Sequence, residues 1–516
     1  MAIDITKYPV TILIVVFTVI RLLVANLIDL GNDEVYYFTY AVLPEWNHFD
    51  HPPLVGIFIR LFTFNLNCNS EVFVRMPGIV GAAVNTWLIA RCGQLVKNKN
   101  TGSIAAVLYN SSVYASIISG VFILPDSVQL TSWLAALHSM LRCIKATSPK
   151  YINRHLLLIG LWIGLATMSK VHGVFLWFGF LGFICFEHPG LLKSPYLYVS
   201  LAVTAVLASP ILFWNIGNDF ITWRFHSERV TVTGEGINLK SFLRTTIGQI
   251  LYANPFQIIL FILMGRELVR KKVFADAASV VLLLWCGLPI IIATILVSLF
   301  RDTLPHWSGP GFIGLMLVGA AWTDAQLSSS GRTVPRKLLA GSAGLILFVF
   351  TAGPVLVRCY PGTMSRKSFP HTGAGDATLD ITGWEQLLPA FEKLRNDDIA
   401  SGRMAREAPM VVHKWFPGSH MYYYVVYPLG MRTVGMGQLE DLHHFAWLNA
   451  LYGQIAPGSD AWYITPSNNF TDPAEQYAGR FERFEKAATI TQRRNGRVAR
   501  YWFVYRLRNA TGVGYK

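Results

Sequence analysis

Charge is scarce in this chain. Only 14% of its 516 residues are Asp, Glu, Lys or Arg, against 53% hydrophobic residues and a mean hydropathy of +0.39. That balance argues against a string of soluble domains and for a polytopic membrane protein. Cysteine is sparse too: six residues, Cys68, Cys92, Cys143, Cys185, Cys286 and Cys359, lie scattered with no CxxC pair. They read as small buried hydrophobes and not as a disulfide or thiolate-metal framework. No internal repeat and no low-complexity segment is visible, and no small-residue cleavage site follows the first apolar run. That run is therefore read as a retained span and not as a removed signal peptide. The formal net charge of +14 would suggest nucleic acid in a soluble protein. Here the charges lie between apolar spans, so no nucleic-acid partner is expected.

What is abundant is long apolar sequence. Windows of roughly 20 residues fall near 9–30, 75–96, 102–123, 127–145, 155–170, 171–187, 197–217, 242–264, 277–300, 306–323 and 338–357, about eleven spans in all. With a cytoplasmic N-terminus, every second connection should be basic. Lys97 and Lys99, then Arg142, Lys145, Lys150 and Arg154, then Lys193, then Arg266, Arg270, Lys271 and Lys272, then Arg332, Arg336 and Lys337 satisfy that alternation. The same count puts residues 31–74, the turn at Pro125 and Asp126, 218–241, 301–306 and everything after about 358 on the exoplasmic side. The chain thus divides into a membrane domain, 1–357, and an exoplasmic domain, 358–516.

In the second part the runs MVVHKW, MYYYVVY, AWYITP and RYWFVYRL read as strands, and GWEQLLPAFEKL and HHFAWLNALYG read as helices. Strands alternating with helices predict a small α/β domain. The aromatic run Tyr422, Tyr423 and Tyr424 is expected to pack a strand.

Acids and histidines gather in the predicted outer loops. Asp33 and Glu34 follow the first span after a short polar break, and ionisable groups at a membrane surface are usually functional. A carboxylate there can orient or deprotonate an acceptor hydroxyl while its neighbour holds the geometry. Read blandly, the pair marks the start of a solvated loop. Further on, HFDHPPL supplies Asp50 and His51 before two prolines that bar helix continuation, and PPLVGIFIRLFTF suits a segment along the interface. On its own that run fits a simple turn back to the membrane equally well.

In combination these runs say more. DE…FDHPPL, FVRMPGIVGA, FILPDSVQLTSW, GLWIGLATMSKVHGVFLW, SPILFWNIGNDFITWRFHSERV and LPHWSGPGF occur in that order. The set resembles the bacterial branch of the dolichyl-phosphate-mannose protein mannosyltransferase family, glycosyltransferase family 39, which includes the 4-amino-4-deoxy-arabinose lipid A transferases. The likeness runs over roughly residues 10–330, and the tail from DITGWEQLL is similar to the family's exoplasmic domain.

The resemblance implies a GT-C architecture with about eleven to thirteen transmembrane helices and a C-terminal exoplasmic α/β domain, in the bacterial inner membrane. It implies a transferase that moves one sugar from a polyprenyl-phosphate donor to an exoplasmic lipid, glycan or protein, with no nucleotide cofactor. Asp33 takes the place of the catalytic acid, with Glu34 beside it. Where the aminoarabinose enzymes carry an acid-lysine pair, this chain has Asp50 and His51. The change to His weakens a permanent phosphate contact, since His is mostly neutral at pH 7. Asp126 matches a second loop acid, and His226 and Arg229 reproduce a His-x-x-Arg spacing. The implied metal ligands are Asp50, Asp126 and His226, a set that suits zinc or a similar divalent ion; a simple hydrogen-bonded His226 is the competing reading. His51, Lys170, Arg229 and His306 are expected to face donor phosphate, while Trp307 reads as an interfacial anchor. Two other classes compete with the transferase. A transporter or flippase of lipid-linked substrates generally carries midplane charges and repeats, neither of which is evident here. A non-catalytic sensor would not need the loop acids.

Overall fold

The computed structural model describes residues 9–234, 236–330 and 333–512. The chain forms two compact units. The first takes the residues up to Leu23, Trp46–Thr63 and Val72–Phe350; the second takes Val24–Glu45, Phe64–Glu71 and Thr351–Lys516. A division drawn at 357/358 from composition therefore differs in two respects, the first being that the C-terminal part begins at Thr351. The second is that segment 24–45, which takes in the end of helix Pro9–Leu27, and segment 64–71 fold with the C-terminal part of the chain.

The first unit is helical. Among the described residues six helices are long and apolar enough to cross a membrane, and a seventh crossing is made if the pair Leu239–Ala253 and Pro255–Val269, bent by 93°, counts as one span. The chain is a multi-pass membrane protein. Other predicted windows are helical but shorter or more polar: 102–123 becomes Lys99–Ser111 plus a π-turn at Tyr114–Ile118, and 171–187 becomes a 3₁₀ turn and Phe175–Glu187. The bend at 253–255 has a visible cause, because Asn254 takes a positive φ of 89°. Its amide donates to the Ser111 and Ser342 carbonyls at 2.8 and 3.1 Å.

Helices in this unit approach closely at several small residues, as expected when lipid removes the hydrophobic drive between helices. A Cβ on Gly160 would lie 2.2 Å from the Ser200 carbonyl oxygen. The contact is reinforced by Ser200 Oγ donating to the Leu156 carbonyl at 2.6 Å and Thr204 Oγ1 to the Gly160 carbonyl at 2.8 Å.

The second unit contains a five-stranded sheet. In chain order the strands are β1 (Met410–Val412), β2 (Thr433–Gly435), β3 (Ala461–Pro466), β4 (Phe481–Arg494) and β5 (Arg497–Ala510), arranged β2-β1-β3-β5-β4. β1 runs parallel to β2 and β3; β5 runs antiparallel to β3 and β4. Helices Leu387–Ala400 and Phe445–Tyr452 stand where the periodicity puts them. MYYYVVY does not form a strand: Trp415–Met421 is helical and Tyr422–Val426 is a π-turn. All five residues of that turn are buried, and a continuous apolar run cannot be assigned by periodicity alone.

Two buried histidines give this unit a pH-dependent stability. Burial lowers His413 to about 4 and His420 to about 3, from 6.5. Below pH 6.5 the unfolded chain binds protons that the fold refuses, so stability is complete above 6.5 and is lost as pH falls through 4. Thermal melts between pH 7.5 and 4 should show a falling midpoint, with a shallower fall for His413→Gln. Equal midpoints across that range would contradict the assignment.

Candidate functional site in the membrane unit

A buried ion pair sits at the centre of the site. Asp126 opens helix Pro125–Lys145 and Lys170 follows the end of Pro149–Ser169. Lys170 Nζ donates to Asp126 Oδ2 at 2.8 Å, and the two side chains are 3% and 2% exposed. Tyr114 Oη donates to Asp126 Oδ1 at 3.0 Å, and Gln129 Nε2 donates to the Lys170 carbonyl at 2.8 Å. Helix 125–145 therefore holds the acid directly and fixes the backbone of its cation one turn later. Both carboxylate oxygens of Asp126 are engaged.

The loop carrying Asp50 and His51 is fastened to helix Ile221–Val230. Asn47 Nδ2 donates to Thr222 Oγ1 at 2.9 Å, and Thr222 Oγ1 donates to the His48 carbonyl at 3.0 Å. His226 Nε2 bonds the Asp50 main-chain carbonyl at 2.6 Å, so that nitrogen carries the proton. The rings of His51 and His226 are 5.8 Å apart. Arg229, one turn after His226, lies over Phe225 and Trp307 at 5.2 and 5.3 Å. Trp307 thus has a role beyond anchoring at an interface.

These parts share one electrostatic neighbourhood, since Lys170 acts on His51, His226 and His306. Removal from water is the main cause of their lowered proton affinity, and Lys170 adds to it. His51 is lowered to about 3 and His306 to about 4, and His226 is lowered as well. At neutral pH the imidazoles are uncharged, which leaves Lys170 and Arg229 as the fixed cations of the group.

Tyr114 escaped sequence reasoning, because SSVYASIISG has no pattern that singles it out. Its partner signal was the Gly in LPHWSGP: a Cβ on Gly309 would lie 2.2 Å from the Tyr114 ring. Gly309→Ala should therefore push the ring off Asp126 and cost about 1–3 kcal/mol, the usual penalty of overpacking. A thermal midpoint equal to wild type would mean that the ring is free to move aside.

Asp33 and Glu34 belong to the other unit. They stand in the first turn of helix Asn32–Val42, where Asp33 is exposed and Glu34 is buried. Glu34 Oε2 accepts the Gly31 N–H at 2.8 Å, closing the start of the helix as a capping acid does.

The chain is similar to several known proteins. Residues 50–214 match the family model of dolichyl-phosphate-mannose-protein mannosyltransferase. The lipid A galacturonosyltransferase RgtD of Rhizobium johnstonii is 23% identical over 316 residues, 59% of this chain and 63% of that protein. The match thus spans less than two thirds of the relative's length. The crystal structure of ArnT from Cupriavidus metallidurans bound to undecaprenyl phosphate superposes with a TM-score of 0.63 at 12% identity, covering 97% of this chain and 98% of that one. Its apo form gives 0.63 at 11% identity with the same coverage. The chain is thus similar to that mannosyltransferase family over residues 50–214 and shares the fold of the ArnT structures.

The expected metal site is not formed among the described residues. Among the described residues no three His, Cys, Asp or Glu side chains are grouped to hold an ion. Asp126 is taken up by Lys170 and Tyr114, and the Nε2 of His226 is spent on the main chain of Asp50. An ammonium stands beside Asp126 where a divalent ion would need open oxygen ligands. Asp50, Asp126 and His226 as placed do not fit a metal, and no step is routed through one.

Proposed function

We propose that this protein is a polyprenyl-phosphate-dependent glycosyltransferase that works at the exoplasmic face of the membrane. The observation that carries the reading is the buried Lys170–Asp126 pair beside Arg229 and three uncharged imidazoles. Such a group suits a lipid phosphate. Asp126 keeps the ammonium oriented away from bulk water, and a cation fixed in low dielectric acts on phosphate more strongly than one in water. The relatives support the choice of ligand, since the ArnT structure holds undecaprenyl phosphate and RgtD is named for transfer to lipid A.

In the transfer, the bond from the anomeric carbon to phosphate oxygen breaks as the acceptor oxygen bonds to the same carbon from the opposite face. The anomeric centre inverts. Negative charge builds on the departing lipid phosphate, where Lys170 and Arg229 stabilise it. An acceptor hydroxyl gives its proton to a base, the role that the family resemblance assigns to Asp33, and within the second unit Glu34 holds the start of that helix. His51 and His306 contribute neutral hydrogen-bonding groups, and the Asp50 loop is held by His226. The alternation of basic connections supports the outward orientation of these loops.

The test is to compare lipid-linked sugars and envelope glycans in cells with and without the protein. One polyprenyl-phosphate sugar should accumulate when the protein is missing, and that sugar should vanish from one envelope component. Unchanged pools of both would remove the reading.

A further inference from the structure

The segment just before Asp33 is held by residues from the far end of the sequence, within the second unit. The Asp29 N–H donates to the Ile381 carbonyl at 3.0 Å, and Asp29 Oδ2 accepts the Trp384 N–H at 2.7 Å. The Leu30 N–H donates to Tyr424 Oη at 2.8 Å, and that hydroxyl in turn donates to Glu71. Asn32 Nδ2 donates to Asp380 Oδ2 at 3.1 Å. The Gly31 N–H goes to the Glu34 cap. Each main-chain N–H from Asp29 to Gly31 is thus occupied, directly before the turn that bears Asp33.

His420 is the staple of this arrangement. Its Nε2 bonds two carbonyl oxygens, Leu30 at 3.2 Å and Asp380 at 3.0 Å. Both are acceptors, so Nε2 carries the proton. The imidazole lies stacked on Trp384 at 4.1 Å and parallel to Tyr424 at 6.1 Å, with no exposure to solvent. The guanidinium of Arg500 lies over the Trp384 ring at 3.7 Å and attracts both Asp29 and Asp380. A fully buried cation thereby offsets two partly or fully buried acids of the same cluster, the condition for keeping such charges inside a fold.

We infer that His420, with Tyr424, is a positioning residue for Asp33: the C-terminal part of the chain sets the start of helix Asn32–Val42 and hence the place of the reacting carboxylate. This rests on the reading of Asp33 as the acid that serves the acceptor. It explains why residues 24–45 fold with the C-terminal segment and not with the helices around them in sequence. A carboxylate that serves the acceptor needs its helix start fixed to within a fraction of an ångström for transfer.

The test uses the full-length protein in detergent or lipid, assayed with the polyprenyl-phosphate sugar purified from cells lacking the protein and with membranes of the same cells as acceptor. His420→Phe keeps the stacking and removes the N–H. Its kcat should fall about 10- to 100-fold with the donor KM unchanged, while His420→Gln, which restores a donor, should recover most of the rate. In an Asp33→Asn background, His420→Phe should cost nothing further. Equal fold losses in both backgrounds, or a wild-type kcat in His420→Phe, would overturn the inference. Tyr424→Phe, which removes the acceptor for Leu30 together with the donor to Glu71, is the second variant if His420→Phe does not fold, and a wild-type kcat there overturns the inference equally. Wild-type turnover by Asp33→Asn is a different result. It removes Asp33 from the mechanism and this inference with it, whereas an inactive Asp33→Asn beside a fully active His420→Phe refutes the positioning alone.

Discussion

Replacing Lys170 by Met is expected to abolish sugar transfer and to destabilise the protein at the same time. The ammonium is 3% exposed and its partner Asp126 2%, so the variant leaves a buried carboxylate without its charge partner, still hydrogen-bonded by Tyr114. Breaking a buried pair from one side typically costs about 3–5 kcal/mol. Transfer should fall by about 10²- to 10³-fold or more, the usual loss when one fixed group that stabilises transition-state charge is removed. The two effects can be separated. The double variant Lys170→Met with Asp126→Leu replaces the pair by apolar volume, which is often neutral for stability, so it should melt near the wild-type temperature while staying inactive. Thermal melting and turnover with the native donor measure both. A Lys170→Met protein that is stable and active would mean that the pair lies apart from the reaction.

Asp33→Asn is expected to separate the same quantities in the opposite sense. Asp33 is exposed on the first turn of its helix, so its loss should leave stability within about 0.5 kcal/mol of wild type. Activity should fall by about 10²- to 10⁴-fold, the range for removal of a positioned acid or base. Glu34→Gln should be milder, because a Gln oxygen can still accept the Gly31 N–H that Glu34 Oε2 now takes. Matched melting curves with a near-total loss of turnover in Asp33→Asn are the expected outcome. Full turnover would assign the acceptor's proton to another group.

Much of the candidate site was legible because its chemistry is polar in an apolar chain. Asp126, Lys170, His226 and Arg229 stand out against 53% hydrophobic residues, and the structure places them in one neighbourhood. What was not legible was which partner each one takes. Asp126 read as a metal ligand is instead the acid of Lys170, since nothing in local spacing tells a distant ammonium from a distant cation. His226 likewise spends its Nε2 on a main-chain oxygen, and main-chain partners leave no trace in composition. Tyr114 and Gly309 were missed because their meaning lies in a contact between segments almost 200 residues apart.

The sheet was read in part for the same reason. β1, β3 and β5 are rich in aromatic and β-branched residues and were visible. β4, FERFEKAATITQRR, is an edge strand that leaves most of its side chains at least partly exposed, and charge on an edge is what keeps such strands from pairing with other chains.

By itself the sequence determined that the chain is a multi-pass membrane protein, which parts of it are apolar, and where the ionisable groups cluster. Those properties follow from residue transfer into lipid and from the period of local structure, both of which act over a few turns. Only the tertiary structure decided that Lys170 neutralises Asp126, that Tyr114 orients it, and that residues 24–45 fold with the C-terminal segment through His420, Tyr424 and Trp384. These are pairings of buried polar groups over 44, 12 and about 390 positions. Their strength comes from the absence of water around both partners, and that absence exists only once the chain has folded.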